Sequence, residues 1–84
     1  MAAEYQVVLH GDLLELLFQM RRTERRRLIQ FFDTVAKKPG TPGDYEEADS
    51  VGRLNQVKVL GRWAITYWAD HAVKELRVVR IESA

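Results

Sequence analysis

The period of the apolar positions changes along the chain, and each change marks an element. Residues 4–9, "EYQVVL", crowd β-forming side chains into a short run, which predicts a first strand. Leu13, Leu14, Leu16, Leu17, Phe18 and Met20 then recur at helical spacing behind Asp12, a residue suited to cap a helix. That stripe is wide for a short helix and predicts burial on more than one side. Thr23 offers a second N-cap, with Glu24 in the first turn, and Leu28, Ile29, Phe32, Val35 and Ala36 carry the helical period to about Lys38. Residues 11–38 therefore read as two helices, a hairpin or a kinked pair. Phe31 falls outside the main stripe and hints at a partner chain or a homodimer.

Residues 39–52, "PGTPGDYEEADSVG", hold both prolines and three of the five glycines. They cannot continue a helix and read as a long surface loop. From residue 53 the period becomes two. If Leu60-Gly61-Arg62 form a three-residue hairpin loop, Val59 opposes Trp63 and Val57 opposes Ile65. If a second hairpin bends at Asp70 and His71, Ala69 opposes Ala72, Ile65 opposes Leu76 and Trp63 opposes Val78. The apolar sets of all three strands then share one face. The expected class is α+β: an N-terminal strand, a two-helix hairpin and a three-stranded antiparallel meander, in a single domain spanning residues 1–84.

Composition narrows the chemistry. The chain has 84 residues and no cysteine, so disulfides and thiolate metal sites are excluded. Its two histidines, His10 and His71, are too few for a structural zinc site. We expect no metal and no cofactor. No apolar run reaches the ~18 residues of a membrane span, and the N-terminus lacks a secretory pattern, so the expected location is the cytoplasm. The net charge of +1 hides a segregation. Residues 21–38 carry seven Lys or Arg against two acids, and residues 39–52 carry four acids and no base. Such blocks bear on partner choice more than the average does.

Asp70 beside His71 raises the question of an acid–base dyad. A hairpin tip is wet and encloses no substrate, so the turn reading is preferred over a hydrolase site. On the face away from the helices, the expected register sets Lys58 beside Ala64 and Ala64 beside Arg77, with Arg62 at the loop tip and Trp68 at the edge. Strict alternation sends Arg80 to the helix side unless a bulge reverses it. A basic surface with an aromatic edge suits a phosphodiester backbone and a stacked base; the same residues also suit a face charged only for solubility. In "RRTERRR", Arg21, Arg22, Arg25 and Arg26 oppose the helix macrodipole, which an external anion or acidic partner would relieve. Phosphate-cradling glycine loops, metal-binding carboxylate pairs and a Ser-His-Asp context are missing from the sequence.

The order of elements, together with "NQVKVLGRWAITYWADHAVKELRVVRI" at residues 55–81, resembles the RelE/ParE-type toxins of bacterial toxin–antitoxin systems. The likeness lies in a basic strand, a glycine–aromatic hairpin, a hydrophobic-x-Tyr strand and a closing valine-rich strand. It implies a growth-inhibiting toxin held in check by a cognate antitoxin. It also implies a target, either messenger RNA on the ribosome, cut without a metal, or DNA gyrase. In the RNA-cutting branch Lys58 matches that branch's basic residue on the second strand, and Arg62 or Arg77 would clamp the phosphate. The family's arginine after the hairpin aromatic is replaced by Ala64 here, and "RIESA" stops before the arginine and tyrosine common beyond the last strand. Those departures motivate a second reading, a non-catalytic binding module of the same fold.

Overall fold

The computed structural model describes residues 4–84. Strand β1 (Gln6–Leu9) leads into helices α1 (Leu13–Gln19) and α2 (Arg22–Lys37). Strands β2 (Tyr45–Ala48), β3 (Leu54–Leu60), β4 (Trp63–Asp70) and β5 (Glu75–Ser83) follow. They form one sheet in the order β1-β5-β4-β3-β2, with β1 parallel to β5 and every other pairing antiparallel. The α+β class and the order of elements agree with the sequence reading.

One layer of helix covers one face of this sheet. Leu17 and Met20 from the α1 end and Leu28, Phe32 and Val35 from α2 meet Ile65, Tyr67, Leu76, Val78 and Ile81 in a common core. The α1 stripe is narrower than its sequence suggests, since Leu14 and Phe18 are exposed. Ile29 is exposed as well, whereas Phe31 packs edge-on to Tyr67 with centroids 5.4 Å apart. Phe31 is thus a core contact. The helix boundary also falls earlier than expected. Arg21 takes the cap position, its N–H donating to Glu24 at 3.2 Å, and Thr23 lies within the first turn. Asp12 occupies the cap position of α1, but its side chain makes no capping bond.

The segment read as loop contains a strand. Tyr45–Ala48 pairs with β3 at the sheet edge, where acidic side chains are tolerated because they discourage further pairing. Its "YEEA" lacks the apolar alternation that announces a strand, so the hydrophobic pattern is silent there. Gly43 and Asp44 set its approach: the Asp44 N–H donates to the Val57 carbonyl at 2.7 Å, and the Asp44 carboxylate accepts the Val59 N–H at 2.8 Å.

The meander forms, but with a different register. Leu60 pairs with Trp63, leaving a two-residue loop of Gly61 and Arg62. Gly61 has φ +60, as the first position of a II′ turn requires, and such turns match the twist of the flanking strands. The one-residue slip turns β3 over. Lys58 pairs with Ile65 on the helix side, while Val57 pairs with Thr66 on the open face. At the second hairpin Ala69 pairs with Leu76 instead of Ala72. That displacement is even, so β4 and the start of β5 keep their expected faces. His71 lies in this turn, its Nδ1 2.6 Å from the Tyr5 hydroxyl, in keeping with the turn reading.

A bulge then corrects the last cation. Tyr67 pairs with Val78 but Thr66 pairs with Arg80, so Val79 is the extra residue. The extra residue moves Arg80 from the helix side to the open face, with Trp68 and Arg77.

Candidate nucleic-acid interface

The open face of the sheet is built by β4 and β5 from positions two apart. Trp68 pairs with Arg77, and Thr66 pairs with Arg80 in the next row. Arg53, just before β3, lays its guanidinium 3.9 Å from the Trp68 ring centroid, and the Arg77 guanidinium lies 5.8 Å from it. A groove of about 460 Å³ runs over this surface, lined by His10, Glu47, Arg53, Asn55, Thr66, Trp68 and Arg80 among others. A second hollow of about 330 Å³ shares His10, Arg53, Trp68 and Val79 with it and adds Arg77. Together they form a trough with cations along it and an indole in its floor, the elements that a single-stranded polyanion needs.

The carboxylates of the chain already occupy these cations. Arg77 contacts Glu75 at 2.7 Å and Asp70 at 3.3 Å. Arg80 donates through one terminal nitrogen to both Glu47 oxygens at 2.8 Å, and this pairing raises its pKa. Its Nε lies 3.0 Å from Glu82 but out of line for a hydrogen bond, so that buried N–H has no partner. Arg53 lies 3.5 Å from Asp49. Because these pairs are partly exposed, each holds its partner weakly, by about 0–1 kcal/mol, and an incoming phosphate can compete.

Two expected members of the site lie elsewhere. Lys58 does not share a face with Arg77: it sits on the helix side, bonded to Asp44 at 3.3 Å. The Asp44 carboxyl is lowered in pKa first by the Val59 N–H and then by Lys58. Arg62 turns from the hairpin tip toward α2 and binds Glu24 through two nitrogens, at 2.7 and 3.2 Å. The Trp63 indole N–H donates to the same carboxylate at 3.1 Å. Chiefly through Arg62, the Glu24 carboxyl is pulled down to about 2. The proposed Lys58–Arg62–Arg77 cluster is therefore dispersed, and the open face gathers Arg53, Arg77 and Arg80 instead.

The sequence matches no family model, and no curated protein matches it. Solved structures do match in shape. One is an archaeal RelE–RelB complex from Pyrococcus horikoshii OT3, with TM-score 0.78 over 95% of this chain and 94% of that one, at 16% identity. Another is the toxin–antitoxin complex RelBE2 from Mycobacterium tuberculosis, with TM-score 0.74 over 96% and 99% of the two chains, at 13% identity. The chain has the RelE-type toxin fold.

On this RelE-type fold the arginines without a carboxylate partner among the described residues lie at and along the start of α2. Arg21, Arg22, Arg25, Arg26 and Arg27 open α2, and the one acid among them, Glu24, is engaged by Arg62. Arg22, Arg25 and Arg26 border a shallow hollow with Ile29, and Arg25 reaches over Phe18, 5.9 Å from its ring centroid. Basic and apolar groups are thus interleaved on one surface. Sequence reasoning missed Arg53, Asn55 and His10. Arg53 and Asn55 entered the open face with the register slip, and His10 enters the trough because its N–H is anchored to the Val78 carbonyl at 2.9 Å. Among the described residues no cluster of acids and histidines is arranged to hold a metal, and no helix is long and apolar enough to cross a membrane.

Proposed function

We propose that this protein is the toxin component of a toxin–antitoxin module, and that its open sheet face binds single-stranded RNA. The RelE-type fold supports the module, since its solved neighbours are toxin–antitoxin complexes. The observation that carries the RNA reading is the bulge at Val79, which brings Arg80 onto the face of Arg77, Arg53 and Trp68. Bases stack on the indole, and phosphates take the guanidinium groups from their carboxylates. The chemistry open to such a site is attack of a ribose 2′-hydroxyl on the adjacent phosphate. The P–O5′ bond breaks, and a cyclic phosphate and a free 5′-hydroxyl form. In this reading His10, which lines the trough, takes the 2′ proton, water returns one to the 5′-oxygen, and Arg77 and Arg80 hold the charge that develops on the phosphate oxygens.

The antitoxin has a separate landing surface in this reading. An acidic amphipathic segment fits the α1–α2 hairpin, where Leu14, Phe18 and Ile29 are exposed beside Arg22, Arg25 and Arg26. Induced expression tests the whole. The wild type should arrest growth, while Arg77→Ala/Arg80→Ala should not and should still bind the antitoxin. Undiminished arrest in the double variant discards the open face as the working site.

The non-catalytic module remains the second reading, favoured by the ion pairing of Arg53, Arg77 and Arg80. It prevails if the wild type causes no arrest while an acidic helical partner still binds.

A further inference from the structure

Strand β2 keeps its place in the sheet without a core side chain. No residue of Tyr45–Ala48 is fully buried, and the strand is fixed to β3 by backbone pairing and the Asp44 clasp. The segment around it, residues 39–52, carries four acids and no base. Three of these acids meet a cation from outside the segment: Asp44 meets Lys58 at 3.3 Å, Glu47 meets Arg80 at 2.8 Å and Asp49 meets Arg53 at 3.5 Å. The Glu47–Arg80 pair is no contact between neighbours. Arg80 stands on β5 and Glu47 on β2, three strand spacings or about 14 Å apart in backbone. Their side chains meet over β4 and β3 and so span the trough. While the pair is closed, Asn55 Oδ1 and Arg80 Nε are buried without hydrogen-bond partners. Unpaired buried groups count against the closed arrangement, which is therefore held loosely.

We propose that β2 is an autoinhibitory strap: Glu47 and Asp49 occupy Arg80 and Arg53 as internal stand-ins for phosphates, and the trough opens when a polyanion draws both arginines off them. The proposal rests on the RNA reading above and names how that site is regulated. Among the described residues the Glu47 carboxylate bonds to Arg80 alone, so it is free to swing away. Asp49 stays, because its other oxygen accepts the Val51 and Arg53 N–H groups at 3.0 and 2.9 Å; there the exposed Arg53 guanidinium does the moving. An isolated phosphate exchanges one carboxylate for one anion and gains little. A strand of RNA delivers several phosphates in one binding event, so displacement at the second arginine becomes intramolecular and is favoured. The strap thus turns away single anions and yields to chains of them.

Fluorescence anisotropy with a labelled oligouridylate, read across a range of salt concentrations, tests this on the wild type, Glu47→Gln and Glu46→Gln. The last removes the same charge from the adjacent position of β2, on the opposite face, where the carboxylate bonds to Gln56. Glu47→Gln should bind roughly 5-fold more tightly than the wild type, the upper end of what a partly exposed pair is worth. The fall of its log affinity with log salt should also be steeper, by about 0.7, because Arg80 enters the complex without leaving an anion behind to recapture a counterion. Glu46→Gln should do neither. Asp49→Asn, whose amide oxygen still accepts the two backbone N–H groups, should act through Arg53 as Glu47→Gln does through Arg80, and it serves if that variant does not fold. Binding by Glu47→Gln with none by the wild type also upholds the strap. Equal gains in Glu47→Gln and Glu46→Gln, or no gain in Glu47→Gln, overturn the strap and leave the RNA reading in place. Failure of every protein to bind overturns both.

Discussion

Replacing Gly43 by alanine tests how tightly β2 is held to the sheet. An added Cβ would lie 2.4 Å from the Val57 oxygen, 2.7 Å from its carbonyl carbon and 2.8 Å from its nitrogen. All three are backbone atoms in the middle of β3, so no side-chain rotation relieves the overlap. Val57 pairs with Tyr45 on one side and Thr66 on the other and is 1% exposed, so it cannot recede. The segment 43–48 must move instead. That motion strains the Gly43 N–H bond to Gln56 at 2.9 Å, the Asp44 N–H bond to Val57 and the Val59 N–H bond to Asp44. Overpacking costs about 1–3 kcal/mol, and loss of two or three bonds at about 1 kcal/mol each gives a similar figure. At about 4–8 °C per kcal/mol for a domain of this size, a loss of about 2 kcal/mol lowers Tm by roughly 8–16 °C. Circular dichroism melts measure it. Gly40→Ala is the control: nothing lies within 4 Å of its added Cβ, and its Tm should stay near the wild-type value. A Gly43→Ala protein that melts with the control would refute the close approach and, with it, the anchoring of Glu47 over the groove.

Two pH-dependent effects follow from the other buried or bonded groups. Glu24 titrates at about 2 instead of its ordinary 4.5, so the stability it contributes is present above pH 4.5 and is lost as pH falls toward 2. Urea melts across that window should show a shallower acid decline in Glu24→Gln, and an unchanged slope would mean that Arg62 and Trp63 do not hold the carboxylate in solution. Tyr67 is raised to about 12, mainly by burial and then by Asp44, so stability should fall as pH rises from 10 to 12. Tyr67→Phe should remove that alkaline slope and, by losing the 3.0 Å bond to the Thr41 carbonyl, cost about 1 kcal/mol at neutral pH.

The elements were legible because their apolar periods are strong, and the faces were not, because parity depends on turns. Gly61 is as compatible with a two-residue loop as with a three-residue one, yet the choice decides which side Lys58 occupies. The even displacement at the second hairpin left Arg77 and Trp68 where the sequence reading had put them. Arg80 was recoverable only as a conditional, since "VVRI" carries no local mark of a bulge. Strand β2 escaped notice because its stability comes from backbone pairing and the Asp44 clasp, neither of which leaves an apolar signature. The RelE-type likeness survived these errors because topology tolerates a slipped register and side-chain chemistry does not.

The parallel pairing of β1 with β5 has a bearing on how the protein comes into being. Gln6 must wait for Glu75, and Leu9 for Val78, before either finds its neighbour. During synthesis the helices can collapse early, but Val7 and Leu9 stay unpaired until the final strand emerges, and such long-range closure is slow. The trough shares this delay, because Arg77 and Arg80 come from that strand and His10 is hung from Val78. A nascent chain would therefore acquire its anion-binding surface only in the last step of its own maturation.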